Sequence, residues 1–284
     1  MKSTEKLIDD LLTLAFAEDV GDGDATTLST IPAEAMGRQH LLVKEEGILA
    51  GVEIARKVFA KFDPSLKMEV FINDGTRVHP GDIAFVVEGP VRSLLQTERI
   101  MLNIMQRMSG IATMTDKYQS RLAGLKAKVL DTRKTTPGMR ILEKMAVKIG
   151  GGENHRIGLF DMILIKDNHN DFAGGIPNSV ARAKQWCKDN GKNLKIEVEV
   201  RDDNEIKQAL EAGVDRIMLD NFTPGRTAEA VAMIRKANPD VEIESSGGIT
   251  IDTLRAYGEA GVDFISVGAL THSVKGLDMS FKAF

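Results

Sequence analysis

The stretch KIEVEVRDDNEIKQALEAGVDRIML (195–219) holds one complete strand–helix–strand passage. Valine and isoleucine alternate with Glu197 and Glu199 at its start, so the two carboxylates face one side of a strand over Lys195–Val200. The period then lengthens to a helix over Asn204–Ala212, closed by Gly213, and Arg216–Leu219 forms the next strand. The same rhythm extends both ways. Strands are expected at Lys128–Leu130, Met162–Ile165, Val241–Glu244 and Phe264–Val267. Helices are expected from Pro137 to Ile149, from Pro177 to Asn190, over Thr227–Asn238 and over Ile251–Ala260. Six strands alternating with helices indicate a parallel sheet. The string EAGVD occurs at 211–215 and again at 259–263, each time closing a helix and feeding a strand, which suits a (β/α) barrel.

Upstream the pattern differs. Ser3 caps a helix with Leu7, Leu11, Leu14 and Ala15 at helical spacing, and the turn-rich run GDGDATT (21–27) ends it. Strand-like runs at His40–Lys44, Met68–Ile72 and Ile83–Val87 surround one helical segment, Val52–Phe62, as in an α+β unit with an antiparallel sheet. Ser93, with Gln96 in a capping-box position, opens a long helix whose stripe runs through Leu94, Met101, Met105 and Met108. Glu98 falls inside that stripe and Arg99 at its rim, as snorkelling charges or as contacts to a partner subunit or ligand.

Composition narrows the function classes. A formal charge of −4 and 5% aromatic residues argue against nucleic-acid binding. One cysteine, Cys187, excludes an internal disulfide framework and a cysteine-rich metal site, which fits a reducing compartment. No apolar run approaches the roughly 20 residues of a membrane span, and the acidic start MKSTEKLIDD is unlike a signal peptide. A cytoplasmic protein is expected.

In a barrel of this kind the chemistry gathers where the strands end. Asp131-Thr132-Arg133-Lys134 follows the first strand and Lys166-Asp167-Asn168-His169 the second. Glu199, then Asp220-Asn221, Ser245-Ser246-Gly247-Gly248 and Gly268-Ala269-Leu270 follow the others. The last two loops suit a phosphate, because glycines let backbone N–H groups approach an anion. No P-loop or dinucleotide fingerprint is present. Residues 131–170 carry seven Lys or Arg against five Asp or Glu inside an acidic chain. Of these, Arg140, Lys144 and Lys148 read as a solvated helix face, whereas Arg133 and Arg156 sit in strand-end or glycine-rich sequence. Converging arginines imply a small substrate with more than one anionic group. Glu199 and Asp220 opposite them could bind ribose hydroxyls or a magnesium ion.

The block DTRKTTPGMRILEKMAVKIGGGENHRIGLFDMILIKDNH (131–169) resembles the core of the quinolinate phosphoribosyltransferase family. The resemblance continues through IEVEV (196–200), IMLDNF (217–222), ESSGGI (244–249) and ISVGALTHS (265–273). It also covers TER-x-x-LN-x-x-x-R-x-SGIAT (97–113) and EDVGDGDATT (18–27). It implies an α/β fold: an N-terminal α+β sandwich domain over 1–110, joined by 275–284, and an incomplete (β/α) barrel of about seven strands over 111–274. The seventh strand would lie near His155–Ile157. The implied reaction joins quinolinate to phosphoribosyl pyrophosphate, with Mg2+ bound alongside the latter, and yields nicotinate mononucleotide, pyrophosphate and carbon dioxide. By the same resemblance Arg133, Lys134, His155, Arg156 and Lys166, with Thr132, surround the dicarboxylate. Glu199 and Asp220 hold the ribose end, and Ser246-Gly247-Gly248 and Gly268-Ala269-Leu270 grip the 5-phosphate. Lys134, Lys166, Glu199 and Asp220 are the catalytic candidates. The family forms a homodimer in which Arg99 crosses to the neighbouring site. A molybdenum-transport-associated relative of the same fold and an inactive ligand-binding homologue are the alternatives.

Overall fold

The structure is a computed structural model describing residues 3–284. In chain order the first elements are α1 (Thr4–Asp19), α2 (Ala25–Thr30), β1 (Met36–Val43), β2 (Gly47–Ile48), α3 (Val52–Phe62), β3 (Lys67–Val70), β4 (Arg77–Val78), β5 (Ile83–Pro90) and α4 (Val91–Arg121). There follow β6 (Lys128–Leu130), α5 (Arg140–Ile149), β7 (Ile163–Ile165), α6 (Asp167–Ala173), α7 (Ile176–Asp189), β8 (Ile196–Val200) and α8 (Asp203–Ala212). The last are β9 (Arg216–Asp220), α9 (Pro224–Ala237), β10 (Glu242–Ser246), α10 (Leu254–Glu259), β11 (Phe264–Ser266), α11 (Ala269–His272) and β12 (Met279–Ala283). Among them no helix is long and apolar enough to cross a membrane.

The chain divides into two compact units. The first holds the residues up to Asp116, together with Thr135–Gly151 and Ala269–Phe284. Its antiparallel sheet has the order β12-β1-β5-β3, so the C-terminal strand completes a sheet begun at residue 36. Phe59 of α3, Phe85 of β5 and Phe281 of β12 stack at centroid distances of 6.0–6.2 Å, which packs the helix on the sheet. Arg107 of α4 donates to Glu143 Oε1 of α5 from Nε at 3.1 Å and from Nη2 at 2.8 Å, and its Nη2 also donates to the Thr271 carbonyl. Glu143 is fully buried, so this charge pair ties 135–151 and the start of the C-terminal segment into the unit.

The second unit holds Lys117–Lys134 and Gly152–Gly268. Its six parallel strands follow the order β6-β11-β10-β9-β8-β7. This is chain order bent into a ring that stays open between β6 and β7, so the sheet is curled but not closed. The seventh strand expected near His155–Ile157 is reduced to one parallel bridge between Leu130 and Glu153. Glycines at 150–152 turn the chain just before it, and Asp161 accepts from the amides of Ile157 and Gly158 just after it, which turns the backbone away from the sheet.

The two EAGVD copies are structurally equivalent. Asp215 N donates to Ile196 O and Asp263 N to Ile243 O, both at 2.9 Å. The Asp215 carboxylate accepts from Ile196 N at 2.7 Å and that of Asp263 from Ile243 N at 2.8 Å. Each aspartate thus pins the start of its neighbour strand, and Gly213 and Gly261 supply the positive φ that turns the helix into it.

Several local expectations are corrected. Ser93 lies inside α4 and donates to Asp63, while Gln96 donates back to Arg92 O, so no capping box forms. Gly138, at φ 82°, breaks the turn after Pro137 and α5 starts only at Arg140. Lys144 is buried rather than solvated, along with Leu142, Glu143, Ala146 and Val147 of α5. In α1 the buried positions are Ile8 and Leu12, whereas Leu7 and Leu14 are exposed.

Candidate functional site

Within the second unit the strand ends place their polar residues together. The bridge between Leu130 and Glu153 runs the backbone after β6 alongside 153–156. His155 N donates to the buried Asp131 carboxylate at 2.9 Å, and Asp131 N donates to Glu153 O. This lashing brings the exposed Arg133 near Arg156. Arg156 is half-buried and donates to the Met162 carbonyl. Desolvation and the neighbouring Arg133 charge push its guanidinium below the ordinary arginine value, against Glu197 and Asp161, which raise it. Thr132 accepts from Lys134 N at 3.0 Å and shapes the turn that carries both basic residues.

Lys166 leaves the end of β7 and caps α6, its amide donating to His169 Nδ1. Its Nζ lies 3.3 Å from Oε2 of Glu199, at the end of β8. Burial pushes the Glu199 carboxyl above the usual range; Lys166 opposes that shift and nearby Asp220 adds to it. Glu199, Asp220 and Asp167 line a cavity of about 650 Å³ with Arg201, Asn221 and Arg226. Three carboxylates at one rim are the hard oxygen donors a hydrated Mg2+ prefers.

The next two strand ends interlock. Asn221 N donates to Ser246 O, and Asn221 is the one non-glycine residue with a positive φ among the described residues. Gly247, at φ 99°, leaves the space that Asn221 fills, while a Cβ on Gly248 would meet nothing. The Gly248 backbone therefore lies open to a ligand.

Gly268 ends the second unit, and Ala269 and Leu270 begin α11 in the first. The Leu270 side chain is fully buried, so only its backbone is available to a ligand. Arg99 is exposed on α4 of the first unit. Beside it Glu98 is half-buried, and burial raises its carboxyl.

His155 lies against Arg156, whose amide donates to its Nδ1 at 2.7 Å. It is buried, and Nε2 lies 2.9 Å from Glu197 Oε2 and 3.5 Å from Glu244 Oε2, inside the curled sheet. Glu244 and Arg216 were not among the residues expected at the site. The signal for them was alternation, since Glu242 and Glu244 share a face of their strand and Arg216 stands in an otherwise apolar one.

Two family descriptions cover most of the chain. Quinolinate phosphoribosyl transferase, N-terminal domain, matches residues 24–109, and its C-terminal domain matches 111–282. A Nicotiana tabacum protein named quinolinate phosphoribosyltransferase (decarboxylating) 1b is 46% identical over 285 residues, covering 96% of this chain and 81% of that one. A Bacillus subtilis probable nicotinate-nucleotide pyrophosphorylase (carboxylating) is 43% identical over 270 residues, 95% of this chain and 91% of its own. The structure of the nicotinate-nucleotide pyrophosphorylase from Francisella tularensis superposes with a TM-score of 0.91 at 38% identity, covering 100% of this chain and 98% of that one. Matched in both domains and nearly end to end, the chain belongs to the quinolinate phosphoribosyltransferase family.

Proposed function

We propose that the protein transfers the phosphoribosyl group of phosphoribosyl pyrophosphate to the ring nitrogen of quinolinate and releases carbon dioxide, forming nicotinate mononucleotide for NAD biosynthesis. The observation that carries this reading is the match of both family domains along nearly the whole chain, with Arg133, Lys134, Arg156 and Lys166 all in place. Arginine forks pair with carboxylates, and a ring with two of them offers one to each of Arg133 and Arg156.

In the first step the pyridine nitrogen forms a bond to the anomeric carbon as the bond to pyrophosphate breaks. Lys134, His155 and Lys166, with Thr132, join Arg133 and Arg156 around the dicarboxylate, and cationic side chains of this group stabilise the charge that grows on the departing phosphates. Glu199 and Asp220 hold the ribose hydroxyls and favour the positive charge on the sugar. Mg2+, when bound with the second substrate near Glu199, Asp220 and Asp167, neutralises part of the pyrophosphate charge. Ser246-Gly247-Gly248, with the Gly248 backbone open, and Gly268-Ala269-Leu270 accept the 5-phosphate. In the second step the bond to the carboxylate beside the ring nitrogen breaks. Its electron pair stays on the ring carbon, stabilised by the now cationic nitrogen, until a proton replaces the lost group. Arg133 and Arg156 keep the ring in place throughout, and orientation of this kind contributes about 7–11 kcal/mol in favourable cases.

The active form is a homodimer in which Arg99 reaches the neighbouring site, which explains an arginine exposed beside a half-buried glutamate. The protein works in the cytoplasm, in keeping with its single, buried cysteine, although relatives include proteins named mitochondrial and chloroplastic. Neither alternative is favoured, because Arg133, Lys134, Arg156 and Lys166 are all present. Mixing the purified protein with quinolinate, phosphoribosyl pyrophosphate and Mg2+ tests the reading: carbon dioxide and nicotinate mononucleotide should appear in equal amounts. Absence of both with folded protein overturns it.

A further inference from the structure

The turn after β9 holds an asparagine in a conformation that its neighbours enforce. β9 and β10 stay in register as far as Asp220 and Ser246. Asn221 N then donates to Ser246 O at 2.9 Å. The buried Phe222 accepts at its carbonyl from Tyr257 Oη, also at 2.9 Å, and Thr223 caps α9 by accepting from Arg226 N. The backbone is thus tied on both sides of Asn221, which takes φ 56°. In an extended strand successive side chains point to opposite faces, so residues 220 and 221 would diverge. The left-handed turn cancels that alternation, and asparagine takes it more readily than most residues. The Asn221 amide comes back to its neighbour's carboxylate, and Nδ2 donates to Asp220 Oδ2 at 2.6 Å. The other side of the amide is fixed too, because Asn221 Oδ1 lies where a Cβ on Gly247 would stand.

We propose that Asn221 is a positioning residue: its amide engages one oxygen of Asp220 so that the other is presented to the ribose. The proposal rests on the reading of Asp220 as a residue that holds the ribose hydroxyls. A terminal carboxylate turns over a broad torsional range, and a short hydrogen bond to one oxygen narrows it. Fixing the group before the sugar arrives removes that ordering cost from binding. The other carboxylate of the cavity is held in the same manner, since Lys166 Nζ takes Glu199 Oε2 at 3.3 Å. Each of the two therefore has one oxygen engaged by a neighbour and one left for a hydroxyl of the sugar. Two rival roles exist for Asn221. It fills the space over Gly247, and it lines the cavity itself.

Asn221→Gly and Asn221→Asp divide these roles. Glycine accepts the left-handed backbone without strain and removes the amide. Aspartate fills the same space but has no hydrogen to donate to Asp220. Equilibrium binding of nicotinate mononucleotide to the full chain, measured without Mg2+, should weaken about tenfold in both variants, as for the loss of one hydrogen bond to a charged group. The KM for phosphoribosyl pyrophosphate should rise alike, while that for quinolinate stays near the parent value. In an Asp220→Asn background Asn221→Gly should weaken binding no further, whereas the fall in melting temperature from the emptied space over Gly247 should persist. Binding by Asn221→Asp equal to that of the parent overturns the proposal and leaves Asn221 a space-filling residue. A further loss in the Asp220→Asn background also overturns it, in favour of direct contact between Asn221 and the sugar. Should Asn221→Gly fail to fold, Asn221→Asp carries the binding comparison in both backgrounds. Asp220→Asn alone separates the underlying reading. Unaltered binding there removes Asp220 from the ribose and takes the proposal with it; weakened binding there without loss in the Asn221 variants overturns the proposal alone.

Discussion

Asn221 and Gly247 occupy one shared space. A Cβ on Gly247 would lie 2.7 Å from Asn221 Cγ and 2.9 Å from Asn221 N, so the left-handed asparagine after β9 requires the left-handed glycine after β10. The two strand ends are locked side by side, with Asp220 on one and the open Gly248 backbone on the other.

Gly247→Ala should therefore be harmful twice over. A side chain at positive φ costs on the order of 1–3 kcal/mol, and Asn221 must also move. The melting temperature should fall, and the KM for phosphoribosyl pyrophosphate should rise more than that for quinolinate. Thermal unfolding and initial-rate kinetics on both substrates check this.

Arg133→Lys should keep the fold, because Arg133 is exposed, yet lose most activity. Lysine has no planar fork, and a lost charge-assisted hydrogen bond of about 1.5–3 kcal/mol corresponds to roughly a 10- to 100-fold fall in kcat/KM for quinolinate. Turnover and affinity near those of the parent would remove Arg133 from its assigned role.

Subunit mixing addresses Arg99. Inactive Arg99→Ala chains exchanged with inactive Lys166→Ala chains should regain about a quarter of normal activity, since one site in a mixed dimer then has both residues intact. Proven exchange without recovery argues that each site is complete within one chain.

Arg107→Ala should destabilise the first unit without touching the sheet of the second. It strands the wholly buried Glu143, and breaking such a pair by removing one partner costs about 3–5 kcal/mol. Urea unfolding with a lowered midpoint checks the size of the effect.

Stability should also depend on pH in a set direction. The folded chain holds protons on Glu197 and Glu244 at pH values where the unfolded chain, near the ordinary value of 4.5, has released them. Their contribution is thus full below 4.5 and is lost as pH rises through about 7 and about 8. Glu244→Gln should flatten that part of the stability curve, measured by denaturant titration at a series of pH values.

Much of this protein was legible in its residues because local chemistry decides it. Val52–Phe62 is a helix with the expected bounds, the β–α–β passage at 195–219 folds as read, and the EAGVD repeat marks two equivalent strand entries. Period, glycine punctuation and capping act over a few residues, so they survive without knowledge of the fold. The clustering of cations in 131–170 likewise needed no coordinates.

Other features belong to the tertiary structure alone. Whether Lys144 is solvated depends on what packs over α5, and whether 153–157 makes a strand depends on competition from Asp161 for its amides. His155 reads in sequence as a substrate contact beside Arg156, and only the coordinates bring its Nε2 within 3.5 Å of carboxylates from residues 197 and 244. Sequence determined which residue types were present and their periodicity along each strand. Only the curl of the sheet decided which side chains share its interior, because burial and charge proximity arise between strands far apart in the chain.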